Sequence, residues 1–296
     1  MRARTAPHTC EPLRLGAVAY LNVRPLSTGL ESLQGLEYCE APPSRLAHWL
    51  ELGRIDIGMV PVAAIINHPE WSVAPGTMIG TRGAVRSVII TGLGKPSEWR
   101  VLRPDAQSRT SNALSRILTE RCMGLDLEPG RPVPFDEPEP SDLLRPGEAM
   151  VLIGSRALRS WARLRARGAR IYDMGTLWTR WTGLPFVFAM WAIRPGAPIG
   201  GWLARLDEVK ARNRDKAGRV ASRWPGLAFD RLTPRQASYY LRRNVDFDFD
   251  AAARRGLERF YREGRELGLF ADGWKLRIWQ AGRVSDPTLV TTNHNH

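Results

Sequence analysis

An α/β protein of two lobes with a ligand cleft between them is the architecture this sequence predicts. Three observations lead there. Short apolar runs rich in β-branched residues alternate with segments whose apolar residues recur at helical spacing, the pattern of α/β folds with mostly parallel sheets. Two stretches rich in glycine and proline, Gly92 to Ser97 and Arg194 to Gly200, divide the chain into three parts. Four short motifs place hydroxyl, amide or glycine groups at an expected strand end or helix start: Gly16 to Asn22, Val85 to Val88, Ser108 to Ser111, and Trp178-Thr179 with Thr182 to Ala189.

Taken in order, Leu13 to Ala19 reads as the first strand, with a turn at Asn22 to Pro25. Ser44 is placed to cap a helix whose apolar face holds Leu46, Trp49 and Leu50 and which stops at Gly53. Ile55 to Val60 reads as a buried strand ending at Pro61, and Val85 to Thr91 as another. Gly92 to Ser97 is expected as the first crossing between lobes. Leu114, Ile117 and Leu118 then recur at helical spacing, so Ser108 to Ser111 falls at a helix N-terminus. Gly130 to Pro140 reads as a surface loop, Ala149 to Ile153 as a buried strand, and Leu184 to Ile193 as a central strand with Pro185 at its start. Arg194 to Gly200 is expected as the second crossing. Helices follow at Gln236 to Asn244 and at Ala251 to Leu267, the latter with Ala252, Leu257, Phe260 and Tyr261 on one face. The expected organisation is residues 1–93 plus 195–285 in one lobe, 94–194 in the other, and 286–296 as a flexible tail. Two crossings between two α/β lobes describe a type II periplasmic-binding-protein-like fold, whose ligands bind where strand ends and helix N-termini meet.

Composition narrows the function. With 296 residues, the chain can bury the cores of two lobes. Cys10, Cys39 and Cys122 are odd in number and scattered, which argues against a disulfide framework and a zinc site. No apolar run follows the N-terminal arginines and no lipobox surrounds Cys10, so no export signal is read and a cytoplasmic location is expected. No run of about 18 apolar residues exists, so no membrane span is expected. The net charge of +13 raises nucleic-acid binding as a possibility. The excess is nearly all arginine, with only Lys95, Lys210, Lys216 and Lys275 as lysines, and its densest run, Arg159 to Arg170, fits a solvated helix face. No nucleic-acid partner is therefore expected; the charge would instead steer an anion to the cleft.

The candidate site residues follow from position. A helix N-terminus leaves backbone N–H groups unpaired and carries partial positive charge, so Ser108, Arg109, Thr110 and Ser111 suit a carboxylate. Simple N-capping is the alternative use of such serines. Tyr20 and Asn22 follow the first strand, where Asn22 either meets a ligand or closes an Asx turn. Ser87, in an otherwise Val/Ile strand, either faces the cleft or alternates to solvent, with Arg86 on the opposite face. Gly154 and Ser155, after the Ala149 to Ile153 strand, either resemble a second anion-facing turn or form a plain strand-to-helix turn. Trp178, Trp181, Phe186 and Phe188 wall an apolar pocket or fill the core. His8, His48, His68, His294 and His296 form no ligand set, and neither a P-loop nor a dinucleotide fingerprint is present. An enzyme built this way works by orientation and hydrogen bonding.

These strings, above all Asp105 to Ser111 and Thr182 to Ala189, with Asp56 to Pro61 and Leu152-Ile153-Gly154 in support, resemble the chorismate dehydratase family of menaquinone biosynthesis by the futalosine pathway. The resemblance runs from about Leu13 to about Phe270. It implies a cofactor-free, metal-free lyase that removes water from chorismate to give 3-[(1-carboxyvinyl)oxy]benzoate. It further implies Asn22 and Ser87 as catalytic positions, Ser108, Thr110 and Ser111 as carboxylate anchors, and the substrate's own side-chain carboxylate as the base. The chain carries Ser155 where the family often has aspartate and Val62 where it often has serine. A non-catalytic carboxylate binder or sensor shares the fold. So does the sister enzyme that forms dihydroxynaphthoate, but its first loop differs from Ala19 to Asn22 here. Oligomeric state has no signature in the sequence.

Overall fold

The computed structural model describes residues 11–134, 139–227 and 232–281. His8, Cys10, part of the Gly130 to Pro140 loop, and the tail from Asp286 with His294 and His296 lie outside them. The elements in chain order are β1 (Leu13–Ala17), α1 (Arg24–Ser27), β2 (Leu36–Glu40), α2 (Pro43–Glu51), β3 (Ile57–Pro61), α3 (Val62–Ile66), β4 (Ser72–Val73), β5 (Gly76–Thr81) and β6 (Val88–Gly92). There follow β7 (Val101–Arg103), α4 (Arg109–Ile117), β8 (Glu128–Pro129), β9 (Glu148–Ile153), α5 (Gly154–Ala166), β10 (Arg170–Asp173), α6 (Met174–Thr182) and β11 (Phe186–Ile193). The last are α7 (Trp202–Asp215), α8 (Ala217–Ser222), α9 (Pro234–Arg243), β12 (Asp246–Phe249) and α10 (Ala251–Glu266).

Two sheets result, one ordered β12-β5-β11-β3-β1-β2 with β4 beside β11, the other β10-β6-β9-β7-β8. The two-lobed, periplasmic-binding-protein-like α/β fold is borne out, but the sheets are mixed where mostly parallel ones were expected. β1 pairs β2 and β3 in parallel, while β11 runs antiparallel to β3, β4 and β5. In the second sheet β6 is antiparallel to both β9 and β10. β6 and β11, the strands that arrive from the other sheet, run against their neighbours, as β12 does against β5.

The same strands displace the expected crossings. β6 belongs to the second sheet and β11 to the first, so the chain changes sheets between Thr81 and Val88 and again between Asp173 and Phe186. Gly92 to Ser97 and Arg194 to Gly200 are the turns at the far ends of these strands. Glycine and proline marked a reversal of the chain, which is equally a signal for a turn and for a crossing.

Strand periodicity sets the cores. In β6, Val88 and Ile90 join the main core while Ile89 joins a smaller one with Met150, Leu152, Ala157 and Leu164. Alternation thus buries both faces of the second sheet, α5 covering one of them. α2 starts differently from expectation: Pro42 is the cap and Pro43 the first helical residue, so Ser44 lies inside the helix. Proline's fixed φ and missing N–H suit that first position. Among the described residues no helix is long and apolar enough to cross a membrane.

Candidate active site

A cleft of about 820 Å³ opens between the two sheets. The C-terminal ends of β1 and β3 and the N-terminal half of β11 form one wall; the N-termini of α4 and α5 form the other. Trp224 to Gly226, just after α8, and Tyr240 of α9, which packs on α8, close a third side.

The α4 wall is built by its loop. Asp105 and Asn112 clamp each other: Asp105 N–H donates to Asn112 Oδ1 at 2.8 Å, and Asn112 Nδ2 donates to Asp105 O at 2.7 Å. Burial raises the Asp105 carboxyl above its ordinary range, opposed by backbone donors and the nearby Arg156. Ser108 caps α4, accepting from Ser111 N–H at 3.2 Å and donating to Ser111 Oγ at 2.8 Å. Thr110 Oγ1 accepts from Ala63 N–H of α3 at 3.1 Å. These bonds engage Thr110 and Ser111 as acceptors, so each retains its hydroxyl proton to donate into the cleft. Capping and anion binding, alternatives at the level of sequence, are thus divided among neighbouring residues.

α5 begins at Gly154, whose φ of +60° a side chain rarely adopts. Ser155 and Arg156 follow in its first turn and also line the cleft. Arg156 is buried and donates to Pro134 O.

On the opposite wall, Asn22 sits in a single 3₁₀ turn, Leu21–Val23, with Leu21 and Val23 buried beneath it. The turn is closed by Val23 N–H to Tyr20 O at 3.0 Å, not by the Asn22 amide, which faces the cleft. Tyr20 reaches across to donate to Gln107 Oε1 at 3.4 Å; burial, then the charge of Asp105, raises its phenol. Arg24 grips Glu40 with two bonds, 2.6 and 3.2 Å, and Tyr38 donates to the same carboxylate at 2.8 Å.

Ser87 precedes β6 instead of lying within the strand. Its neighbour Arg86 has φ +60°, the one positive value among described non-glycine residues. That twist sends the two side chains apart as expected. Arg86 stacks over Trp161 at 5.0 Å, while Ser87, buried, faces the cleft and hydrogen-bonds Tyr240 Oη at 2.9 Å.

The structure therefore brings Tyr20, Asn22, Ser87, Ser108, Thr110, Ser111, Gly154 and Ser155 to one cleft. Arg109 is the exception: it is exposed and borders a separate cavity of about 330 Å³ with Asn67 and Phe270. One residue along a helix turns about 100° from its neighbour, which carries Arg109 off the face used by Ser108. Of the four aromatics, Phe188 lines the cleft. Trp178 and Phe186 form a core cluster with Phe260, and Trp178 Nε1 donates to Pro185 O at 3.1 Å. The Thr182 to Pro185 string is a helix stop: Gly183 is left-handed at φ +71°, and Thr182 Oγ1 accepts from Leu184 N–H. Ser155 lines the cleft; Val62 is fully buried in α3. Sequence reasoning missed Tyr240, Gln107, Arg24 and Arg156. Arg156 was legible as the third residue of an anion-facing helix; Tyr240 carries no local signal at all.

Residues 13–266 match the menaquinone biosynthesis family. The chain is 29% identical over 224 residues to the chorismate dehydratase of Thermus thermophilus, covering 71% of this chain and 79% of that protein. In fold it is similar to protein AF1704 of Archaeoglobus fulgidus, with a TM-score of 0.65 at 14% identity, covering 89% of this chain and all of that one. It is similar to the same degree to the periplasmic aliphatic sulphonate binding protein SsuA of Escherichia coli, with a TM-score of 0.65 at 18% identity, covering 97% and 99% of the two chains. The match over most of its length makes this chain a member of the menaquinone biosynthesis family.

Proposed function

We propose that this protein is a chorismate dehydratase, a carbon–oxygen lyase that converts chorismate to 3-[(1-carboxyvinyl)oxy]benzoate. The observation that carries this reading is the character of the cleft lining. It offers hydroxyl and amide donors together with the guanidinium groups of Arg156 and Arg159, and its one carboxylate among the described residues, Glu40, is already held by Arg24 and Tyr38. Such a site suits a reaction whose base comes with the substrate.

Met59, Ile79, Val85 and Phe188 supply an apolar surface for the ring. The N-termini of α4 and α5 take carboxylate charge, with Thr110, Ser111 and Ser155 as donors. Asn22 and Ser87 hold the leaving hydroxyl and the side-chain carboxylate in a compressed geometry. The ring C–H proton passes to that carboxylate, its electron pair completes the aromatic ring as the C–O bond breaks, and the departing hydroxide takes the proton back from the carboxyl to leave as water. Aromatisation supplies the driving force, so the protein's task is orientation and stabilisation of moving charge. Closure of the lobes would exclude solvent.

The test is incubation of purified protein with chorismate, followed by chromatography with mass detection. Loss of one water with benzoate-type absorbance, abolished in Ser87→Ala, supports the reading. No turnover combined with thermal stabilisation by chorismate would make the protein a binder of the same ligand instead.

A further inference from the structure

Ser87 stands on an unusual piece of backbone. The segment from Thr81 to Ser87 carries the chain from one sheet to the other and contains the strained Arg86. Strain of this kind persists only where the surroundings hold it. Two sets of contacts do so. From the second sheet, the Asp173 carboxylate accepts from Val85 N–H at 3.1 Å and Arg86 N–H at 2.6 Å. From α9, two residues one helical turn apart reach the same segment: Asn244 Nδ2 donates to Ala84 O at 2.7 Å, and Tyr240 Oη meets Ser87 Oγ at 2.9 Å.

We propose that Tyr240, backed by Asn244, is a positioning residue for Ser87: its phenol donates to Ser87 Oγ and so turns the serine's own O–H into the cleft toward the substrate's leaving hydroxyl. This rests on the dehydratase reading above. The direction of the bond follows from chemistry. A phenol is the better donor and the poorer acceptor, because its oxygen lone pair is delocalised into the ring; an alkyl hydroxyl is the reverse. Either partner could donate geometrically, but only donation by Tyr240 pairs the better donor with the better acceptor. Burial, opposed by the Ser87 bond, pushes the Tyr240 phenol up to about 12, so it remains a neutral O–H donor through the physiological range. Ser87 N–H is turned back to Val85 O at 2.7 Å, so the hydroxyl is the polar group this residue offers the cleft. Rotation of a serine hydroxyl is otherwise unrestricted, and a fixed acceptor bond converts it into a directed donor.

The experiment compares kcat and KM for chorismate in wild type, Tyr240→Phe, Ser87→Ala and the double variant, with thermal unfolding to check each fold. Tyr240→Phe, which loses only the hydroxyl, is expected to lower kcat about 10-fold or more with KM little changed. The double variant is expected to be no worse than Ser87→Ala alone, since the phenol acts through the serine. An unchanged kcat in Tyr240→Phe, or losses that multiply in the double variant, would overturn the inference while leaving the dehydratase reading intact. Wild type that is inert toward chorismate overturns both. Should Tyr240→Phe fail to fold, Asn244→Ala loosens the same segment at Ala84; a kcat lowered with KM retained supports the inference and wild-type kcat overturns it.

Discussion

β1, β3 and β11 lie side by side in the first sheet, and their two ends do different work. At one end Asp56, just before β3, is almost completely buried, with 1% of its side chain exposed, between Arg14 of β1 and Arg194 after β11. Its carboxylate accepts from Arg14 N–H at 2.8 Å, Arg14 Nη2 at 2.9 Å, Arg194 Nε at 3.0 Å and Arg194 Nη2 at 2.6 Å. At the other end the same strands deliver Asn22, Pro61 and Phe188 to the cleft, where the facing groups include the hydroxyls of Ser87, Thr110, Ser111 and Ser155 beside Arg156 and Arg159. The Asp56 carboxylate is placed where its bonds are satisfied by protein. Hydroxyl protons are left over where a ligand binds. An ion pair with all its partners in place rigidifies a fold but has nothing left to offer a substrate. A hydroxyl that accepts one bond still has a proton to give.

If this division holds, damage at the two ends should separate cleanly into loss of turnover and loss of stability. The largest effect is expected at the cleft: Ser87→Ala and Asn22→Ala should each lower kcat about 100-fold or more while the unfolding temperature stays near wild type. Wild-type turnover in either variant removes that residue from the chemistry. Next, Asp56→Ala should cost about 3 kcal/mol in denaturant unfolding by stranding two arginines, the low end of the range for buried pairs because both keep part of their hydration. Its kcat, measured where the protein remains folded, should be preserved; a large loss of kcat would show that the two ends are coupled.

The acid limb offers a finer test. Burial alone would raise the Asp56 carboxyl, but the Arg14 side chain and backbone, together with Arg194, outweigh it and hold it below its ordinary value. A depressed folded pKa means that the stabilisation is complete above the unfolded value, about 3.9. It is lost as pH falls from there through the lower folded value. Unfolding midpoints of Asp56→Asn should therefore change less than wild type below about pH 4; parallel curves would refute the assignment. A smaller effect is expected for Thr110→Val, which removes a donor to the substrate and the acceptor of Ala63 N–H. KM should rise more than kcat falls, with stability reduced by about 1 kcal/mol; an unchanged KM would reduce this helix start to a cap. The smallest is Gly154→Ala. Nothing lies within 4 Å of the added methyl, so only the φ of +60° opposes it, at about 1 kcal/mol by thermal unfolding.

Much of this was legible in the residues because it is local. Ser108 followed by Leu114, Ile117 and Leu118 announced a capped helix, and α4 begins there. Gly154-Ser155 after an apolar run announced a strand-to-helix turn, and α5 starts at it. The Asp105 to Ser111 string is local too: it holds the cap and the two hydroxyls of the helix start, and Asn112 just beyond it closes the clamp on Asp105. The misplaced crossings failed for the opposite reason. A turn and a crossing use the same glycine and proline, and only pairing with distant strands tells them apart. Arg109 shares the motif but not the face, a difference of one residue in helical phase.

By itself, then, the sequence determined the two-lobed α/β class, the family, the starts of α4 and α5, and eight polar or glycine residues that meet in the cleft. Each depends on periodicity or on contacts a few residues long. The tertiary structure alone decided that Tyr240, 153 residues from Ser87, supplies its hydrogen bond, and that Asp56 gathers Arg194 from 138 residues away. It also decided that β6 and β11 exchange sheets. Side-chain hydrogen bonds act over about 3 Å whatever the separation along the chain. Which distant groups come that close is set by how the lobes pack, and no local pattern of residues encodes it.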